Sequence, residues 1–200
     1  MSYPLACIIL ASGFAERFGS NKLLHAFRSR PLISYILQST QGLFDQRVVV
    51  TRYQELAELC RKDAVPCFLH NKKYLNDTIS IGLEHIRHEQ VRGYIFCTGD
   101  QPLLQRASLE RLTNAFCRSP RYITRLAHGE LPGNPVIFPA ELLTELRSLP
   151  QDKGGSFLAK KYPERVRLVQ VRDERELFDI DTARDYERLL SHAAEEYSKG

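Results

Sequence analysis

Short β-branched and apolar runs alternate with stretches of helical spacing along almost the whole 200-residue chain. The runs are Leu5 to Leu10, Arg47 to Thr51, Pro66 to Leu69, Tyr94 to Thr98, Tyr122 to Leu126, Pro135 to Phe138 and Val166 to Val171. Between most of them apolar residues recur three and four apart, as in Leu56, Leu59 and Cys60, in Ile79, Leu83 and Ile86, and in Leu109, Leu112 and Phe116. A strand followed by a helix of this length brings the chain back to start a parallel neighbour. The expected architecture is therefore a three-layer α/β/α sandwich with a mostly parallel sheet. Ligands of such sheets bind beyond the carboxyl ends of the strands, so the loops there carry the search for function.

Nothing divides the pattern, and residues 1–200 are read as a single domain. The less regular stretch 121–165, with a loop from His128 to Asn134, is expected to form a subsidiary lobe over one end of the sheet. With 43% hydrophobic and 26% charged residues the composition excludes disorder, and 28 basic against 24 acidic residues give a net charge of +4, too mild to argue for nucleic acid. The five cysteines form no Cys-x-x-Cys pair, and Cys7 and Cys97 fall inside apolar runs. Free thiols of this kind suit a reducing compartment. The first residues lack a basic signal-peptide region, and no apolar run reaches membrane-spanning length, so a cytoplasmic protein without a membrane partner is expected.

Three segments carry chemistry. In LASGFAERFGSNK, Leu10 to Lys22, Gly13 and Gly19 permit a tight loop beside Arg17 and Lys22. Backbone amides with two cations make a phosphate cradle, although the spacing is neither that of the Walker loop nor G-x-G-x-x-G, and a plain turn with solvated basic residues is the alternative. In YIFCTGDQPLL, Tyr94 to Leu104, a buried run ends on Gly99 and Asp100. A carboxylate there can hold Mg²⁺ against phosphate oxygens, or it can cap a helix opened by Pro102. In LFDIDTARDYERLL, Leu177 to Leu190, Asp179 and Asp181 flank Ile180 and share one face of an extended segment. Thr182 or Asp181 can cap the closing helix with Asp185 in a capping box, which leaves part of the acidic set for a metal. Asp181 is the preferred ligand and Asp179 the other candidate.

In this order the segments resemble the molybdenum cofactor cytidylyltransferases and related nucleotidyltransferases, whose motifs run close to L-A-A-G-x-S-x-R-x-G-x-x-K, G-D-x-P, G-x-P-x-x-F, D-x-G and D-I-D-T-x-x-D. The matching stretches are Leu10 to Lys22, Gly99 to Pro102, Gly133 to Phe138, Asp152 to Gly154 and Asp179 to Asp185, so the resemblance covers nearly the whole chain. It implies a Rossmann-like sheet of the nucleotide-diphospho-sugar transferase type. It also implies Mg²⁺-dependent transfer of a nucleoside monophosphate, CMP from CTP, to the phosphate of the molybdenum cofactor with release of pyrophosphate. The implied catalytic residues are Arg17, Lys22 and Asp100. Nucleotide binding falls to Leu10, Ala11, Ser12, Gly13, Lys22, Asn76, Ser80 and Asp100, metal binding to Asp100 and Asp181, and acceptor binding to Gly133, Asn134 and Lys153. The implied partners are CTP or another nucleoside triphosphate, a molybdopterin-type phosphate acceptor and a molybdenum hydroxylase apoenzyme.

Two other readings stand beside this one, a nucleotidyltransferase acting on a sugar or polyol phosphate and an inactive cofactor-binding chaperone for molybdenum hydroxylases. Ser12 replaces the usual Ala or Gly, Ala15 the usual Ser and Phe18 a common Met, changes of loop packing more than charge. Asn134, where many relatives carry His, bears on the identity of the acceptor. His85 and His88 are expected on a solvated helix face, and Arg172 to Glu176 is expected to be a surface loop.

Overall fold

The computed structural model describes residues 2–13 and 21–198, with side chains as far as Ser191. Strand β1 (Tyr3–Ala11) is followed by a small hairpin of β2 (Ala26–Phe27) and β3 (Arg30–Pro31), then α1 (Leu32–Thr40), β4 (Phe44–Thr51), α2 (Gln54–Lys62), β5 (Cys67–Leu69), α3 (Leu75–Glu84) and β6 (Gly93–Thr98). The chain continues through α4 (Arg106–Arg118), β7 (Ile123–His128), β8 (Leu131–Pro139), α5 (Leu143–Arg147), α6 (Ser156–Lys161), β9 (Val166–Gln170) and α7 (Ala183–Ser198).

Every predicted strand is present, within a few residues of its expected bounds. They form one seven-stranded sheet in the order β5-β4-β1-β6-β8-β7-β9. Neighbours from β5 to β6 are parallel, β8 runs against both β6 and β7, and β9 is parallel to β7. The alternation of β1 builds the layers: Leu5, Cys7, Ile9 and Ala11 pack with α1, α2 and α4 on one face, and Ala6 and Ile8 with α3, α5 and α6 on the other. Such burial on both faces is what a central parallel strand requires. A Cβ on Gly82 of α3 would stand 2.5 Å from Ile8 Cγ2, so the helix reaches this depth only with glycine there.

Two sequence expectations change. The stretch from His128 to Asn134, expected as a loop, is a hairpin in which His128 pairs with Leu131 across Gly129 and Glu130, with Gly129 at φ +58°. Pro132 and Gly133 hide the first half of β8 from propensity, so that only Pro135 to Phe138 reads as a strand, and the tight turn forces β8 antiparallel. Residues 121–165 thus place two strands in the central sheet itself. The segment Arg172 to Glu176 is not a solvated loop throughout: a 3₁₀ turn, Glu174–Leu177, buries Glu176, which accepts hydrogen bonds from Ser108 Oγ and from the Gln105 N–H at 3.2 Å. Its charge sign gave no hint of this pairing. All five cysteines are free, Cys7 and Cys97 with their sulfurs 3.9 Å apart in the core. No helix among the described residues is long and apolar enough to cross a membrane.

Candidate active site between two cavities

Asp100 owes its position to the residue before it. The Gly99 N–H bonds Leu10 O at 3.0 Å, and a Cβ on Gly99 would lie 2.9 Å from Ile33 Cδ1. The chain leaves β6 tightly and carries Asp100 out beside the end of β1, where the order of the sheet reverses. That reversal point is where open α/β sheets bind ligands. Asp100 is not a helix cap, because α4 begins only at Arg106, after Gln105.

The second carboxylate segment is docked onto the first. Ile180 donates its N–H to Asp100 O at 3.1 Å and buries its side chain with Phe27, Leu32 and Leu189. Burial of such a side chain is worth about 1.5–3 kcal/mol. With Ile180 anchored inward, alternation turns Asp179 and Asp181 the other way. Thr182 and Asp185 form the expected capping box: Asp185 Oδ2 accepts from the Thr182 N–H at 2.9 Å, and Thr182 Oγ1 accepts from the Asp185 N–H at 3.2 Å. The helix needs neither Asp179 nor the side chain of Asp181.

Lys22 opens a 3₁₀ turn whose Asn21 side chain accepts from the Leu23 N–H and whose Leu23 is buried. Its Nζ donates to Asp100 Oδ2 at 2.7 Å and to Asp181 Oδ1 at 3.0 Å. Burial works against the ammonium, but the charge and hydrogen bonds of Asp100 and Asp181 outweigh it and hold the Lys22 pKa above its ordinary value. Among the described residues, one cation therefore serves three carboxylates. Burial, then Asp100, then Asp181 push the Asp179 carboxyl up to about 7, against the pull of Lys22. Asp100 Oδ1 and Asp179 Oδ1 are buried without a hydrogen-bond partner.

A divalent cation fits this electrostatic deficit, and two acceptor-only oxygens stand ready for it. Among the described residues no group of three or more His, Cys, Asp and Glu side chains could hold a metal by itself. The remainder of a coordination shell would come from phosphate oxygens and water, the usual situation of Mg²⁺ at nucleotide sites.

Two cavities meet at this cluster. The first, about 400 Å³, is bounded by Ser12 and Gly13 after β1, Thr78 on α3, Asp100 after β6, and Gly154 and Ser156 before and in α6. The second, about 620 Å³, lies between the β7–β8 hairpin, the turn after β9 and α7, with Asp179 in its wall. Arg125 and Asn134 line both. Of the residues singled out from sequence, Leu10, Ser12, Gly13 and Asp100 line the first cavity, Gly133 the second and Asn134 both, while Lys22 joins through its contact with Asp100 and Asp181 through its contact with Lys22. Ala11 is buried, and its carbonyl accepts from Thr51 Oγ1 at 2.9 Å.

Asn76 and Ser80 are not brought to either lining. Asn76 Oδ1 accepts from the Asp152 N–H at 3.0 Å and Ser80 Oγ donates to Glu84 at 3.3 Å. Lys153 is exposed, and Arg17 lies outside the described residues. Sequence reasoning missed Thr78, Arg52 and Arg125, which line the cavities. Thr78 shares the helix of Asn76 and Ser80 two residues from each, and a helical wheel would have separated them. Arg125 gave no signal beyond being a charge inside an apolar strand.

Ser12 has a particular neighbour. The ring of His70 accepts from the Lys72 N–H at Nδ1, so Nε2 carries the proton and donates to Ser12 Oγ at 2.7 Å, while Ser12 donates on to Val50 O at 3.1 Å. Burial, then Arg52, lower the His70 pKa, which keeps this tautomer neutral. His85 stacks on Phe68, and His88 meets Tyr94 and Arg147, so both have structural contacts.

Among solved structures, Rv0371c of Mycobacterium tuberculosis H37Rv superposes with a TM-score of 0.82 at 25% identity over 96% of this chain and 99% of its own. A complex of Rv0371C with manganese superposes at a TM-score of 0.73, 22% identity and coverage of 94% and 98%. Among curated proteins, the bifunctional protein GlmU of Paramagnetospirillum magneticum is 30% identical over 141 residues, 67% of this chain but 30% of that protein. The "probable molybdenum cofactor guanylyltransferase" of Natranaerobius thermophilus is 27% identical over 107 residues, 52% of this chain and 51% of its own. The chain thus spans about a third of the length of the first of these relatives and half of the second. The family model described as the MobA-like NTP transferase domain matches residues 7–166, which hold most of β1, all of β2 to β8 and Asp100, and the chain belongs to that family.

Proposed function

We propose that the chain is a divalent-metal-dependent nucleotidyltransferase in which a nucleoside triphosphate occupies the first cavity and a phosphate-bearing acceptor the second. One observation carries the reading: the Lys22, Asp100, Asp179 and Asp181 cluster stands where the two cavities meet, with Asp100 in one lining and Asp179 in the other. An oxygen of the acceptor phosphate bonds to the α-phosphorus of the donor, the bond from that phosphorus to the β-phosphate oxygen breaks, and pyrophosphate leaves with the electron pair. Such a reaction needs alignment and charge neutralisation more than a covalent nucleophile.

A bound Mg²⁺, held by Asp100 with Asp181 or Asp179, supplies charge neutralisation on the phosphate oxygens. Lys22 has three N–H donors, of which two go to Asp100 and Asp181, and the third remains for a phosphate oxygen of the departing pyrophosphate. Ser12 and Gly13 bound the donor cavity at the end of β1, and Arg17 adds a second cation to the loop. The preferred donor is CTP and the preferred acceptor the molybdopterin phosphate of the molybdenum cofactor, with a molybdenum hydroxylase as recipient of the product. The family and the guanylyltransferase relative support the acceptor class. A sugar or polyol phosphate is the second reading, favoured by Asn134, whose neutral carboxamide in the shared wall suits hydroxyl groups as well as phosphate. The inactive-chaperone reading gains nothing from the Lys22–Asp100 and Lys22–Asp181 contacts.

The test is pyrophosphate release with CTP, GTP, ATP and UTP, each offered molybdopterin or a panel of sugar and polyol phosphates, with and without Mg²⁺. Release with CTP and molybdopterin is expected. Release with sugar phosphates alone selects the second reading, and no release with any pair rejects the transferase.

A further inference from the structure

Arg125 sits on β7 opposite Val136 of β8 and lines both cavities. Its Nε and Nη2 donate to a single acceptor, the Gly133 carbonyl oxygen, at 3.1 and 3.0 Å. A guanidinium has five N–H donors, so three remain after these two. No carboxylate among the described residues forms an ion pair with it. Burial alone lowers its pKa, with no acidic neighbour raising it again. Asp179, in the wall of the second cavity, feels Asp100, Asp181 and Lys22 but no charge from Arg125. A half-buried cation without a counter-ion is expensive for a fold, and an apolar residue at this β7 position would pack without that cost.

We propose that Arg125 is the anchor for the phosphate monoester of the acceptor, which supplies the anion the protein omits. The proposal rests on the transferase reading and names the residue that reads the second substrate. A planar fork matches two oxygens of one phosphate, leaving the third to attack the donor across the shared wall. The acceptor rather than the donor is selected because Arg125 is pinned to Gly133 of the hairpin that bounds the second cavity, whereas the donor side has Lys22. Gly133 holds that hairpin in place in turn, since a Cβ on it would lie 3.0 Å from Leu177 Cδ1.

The experiment is calorimetric titration of the wild-type chain, Arg125→Met and Arg125→Lys with phenyl phosphate and, separately, with CTP and Mg²⁺. Phenyl phosphate affinity is expected to fall at least about tenfold in Arg125→Met and by less in Arg125→Lys, which keeps a point charge without the fork, while CTP affinity changes less than about twofold. Unchanged phenyl phosphate affinity in Arg125→Met overturns the proposal, as does a CTP loss larger than the phenyl phosphate loss, which would move Arg125 to the donor. Phenylglyoxal labelling of the wild type, mapped by mass spectrometry, needs no variant to fold. Protection of Arg125 by phenyl phosphate but not by CTP supports the anchor, and protection by CTP alone rejects it. Wild-type protein that binds phenyl phosphate through Arg125 but binds no nucleoside triphosphate leaves the anion site standing and removes the transferase.

Discussion

The two cavities are bounded by unlike halves of one sheet. The first cavity, the proposed donor side, rests mainly on β4, β1 and β6, all parallel, with β1 and β6 almost wholly buried. The second, the proposed acceptor side, rests on the β7–β8 hairpin, beside the edge strand β9, three of whose five residues are exposed. A strand covered on both faces has no freedom to change its neighbours, whereas a hairpin can alter its tip while its pairing persists. The contrast teaches where each kind of specificity can reside: a fixed phosphate grip beside the central strands and a variable acceptor wall on the hairpin.

Five substitutions would break or sharpen that contrast, beginning with the largest effect. Asp100→Asn, at the junction, is expected to lower transfer by on the order of 10²–10³-fold with an unchanged melting curve. Turnover near wild type would remove Asp100 from the mechanism. Next, Lys22→Ala leaves Asp100 and Asp179 without their cation, for a loss of about 2–4 kcal/mol in denaturant titration, at the lower end for a buried pair because Asp181 is 63% exposed. Added Mg²⁺ should recover more stability in this variant than in wild type. Equal gains in both would show that the carboxylates do not share a cation site.

Smaller effects separate the halves. Gly82→Ala inserts a methyl against Ile8 and should cost about 1–3 kcal/mol, whereas Gly133→Ala presses on Leu177 and should raise the acceptor KM several-fold with the nucleotide KM unchanged. A nucleotide defect in Gly133→Ala would erase the division between the sides. Smallest is the contribution of His70. Its folded pKa lies below the ordinary value of about 6.5, so the neutral ring stabilises the fold above that pH, and the contribution is lost as pH falls from there toward the folded pKa. His70→Gln should remove this slope between pH 7 and 5, leaving the similar slope from His88 and the opposite one from Asp179, whose raised pKa of about 7 favours the fold as pH falls. An unaltered slope would show that His70 is not held neutral.

Much of this was legible because periodicity is a local signal. The alternation around Ile8 and the spacing of Leu109, Leu112 and Phe116 report burial directly, and the Asp179-Ile180-Asp181 pattern announces one inward residue and two on the other side. The strand runs on both sides of the hairpin were legible, but its tight turn and the first half of β8 escaped notice because Pro132 and Gly133 suppress strand propensity. Arg125 and Glu176 escaped for a different reason: what matters about each is the partner it has or lacks across the fold, and a one-dimensional pattern does not contain that. Ser80 shows the reverse case, a residue at a motif position whose side chain the helix turns toward Glu84.

The ion pair of Lys22 with Asp181 joins residues 159 positions apart, and Ile180 is fastened to the Asp100 carbonyl. During synthesis Lys22 and the Asp100 turn emerge first, while the acidic segment that completes their charge balance follows about 80 residues after Asp100. Over that interval Lys22 has at most one of its two carboxylates. A nascent chain therefore presents Lys22 before the cluster is whole, and the cluster closes only when the segment ahead of α7 docks on the Asp100 turn.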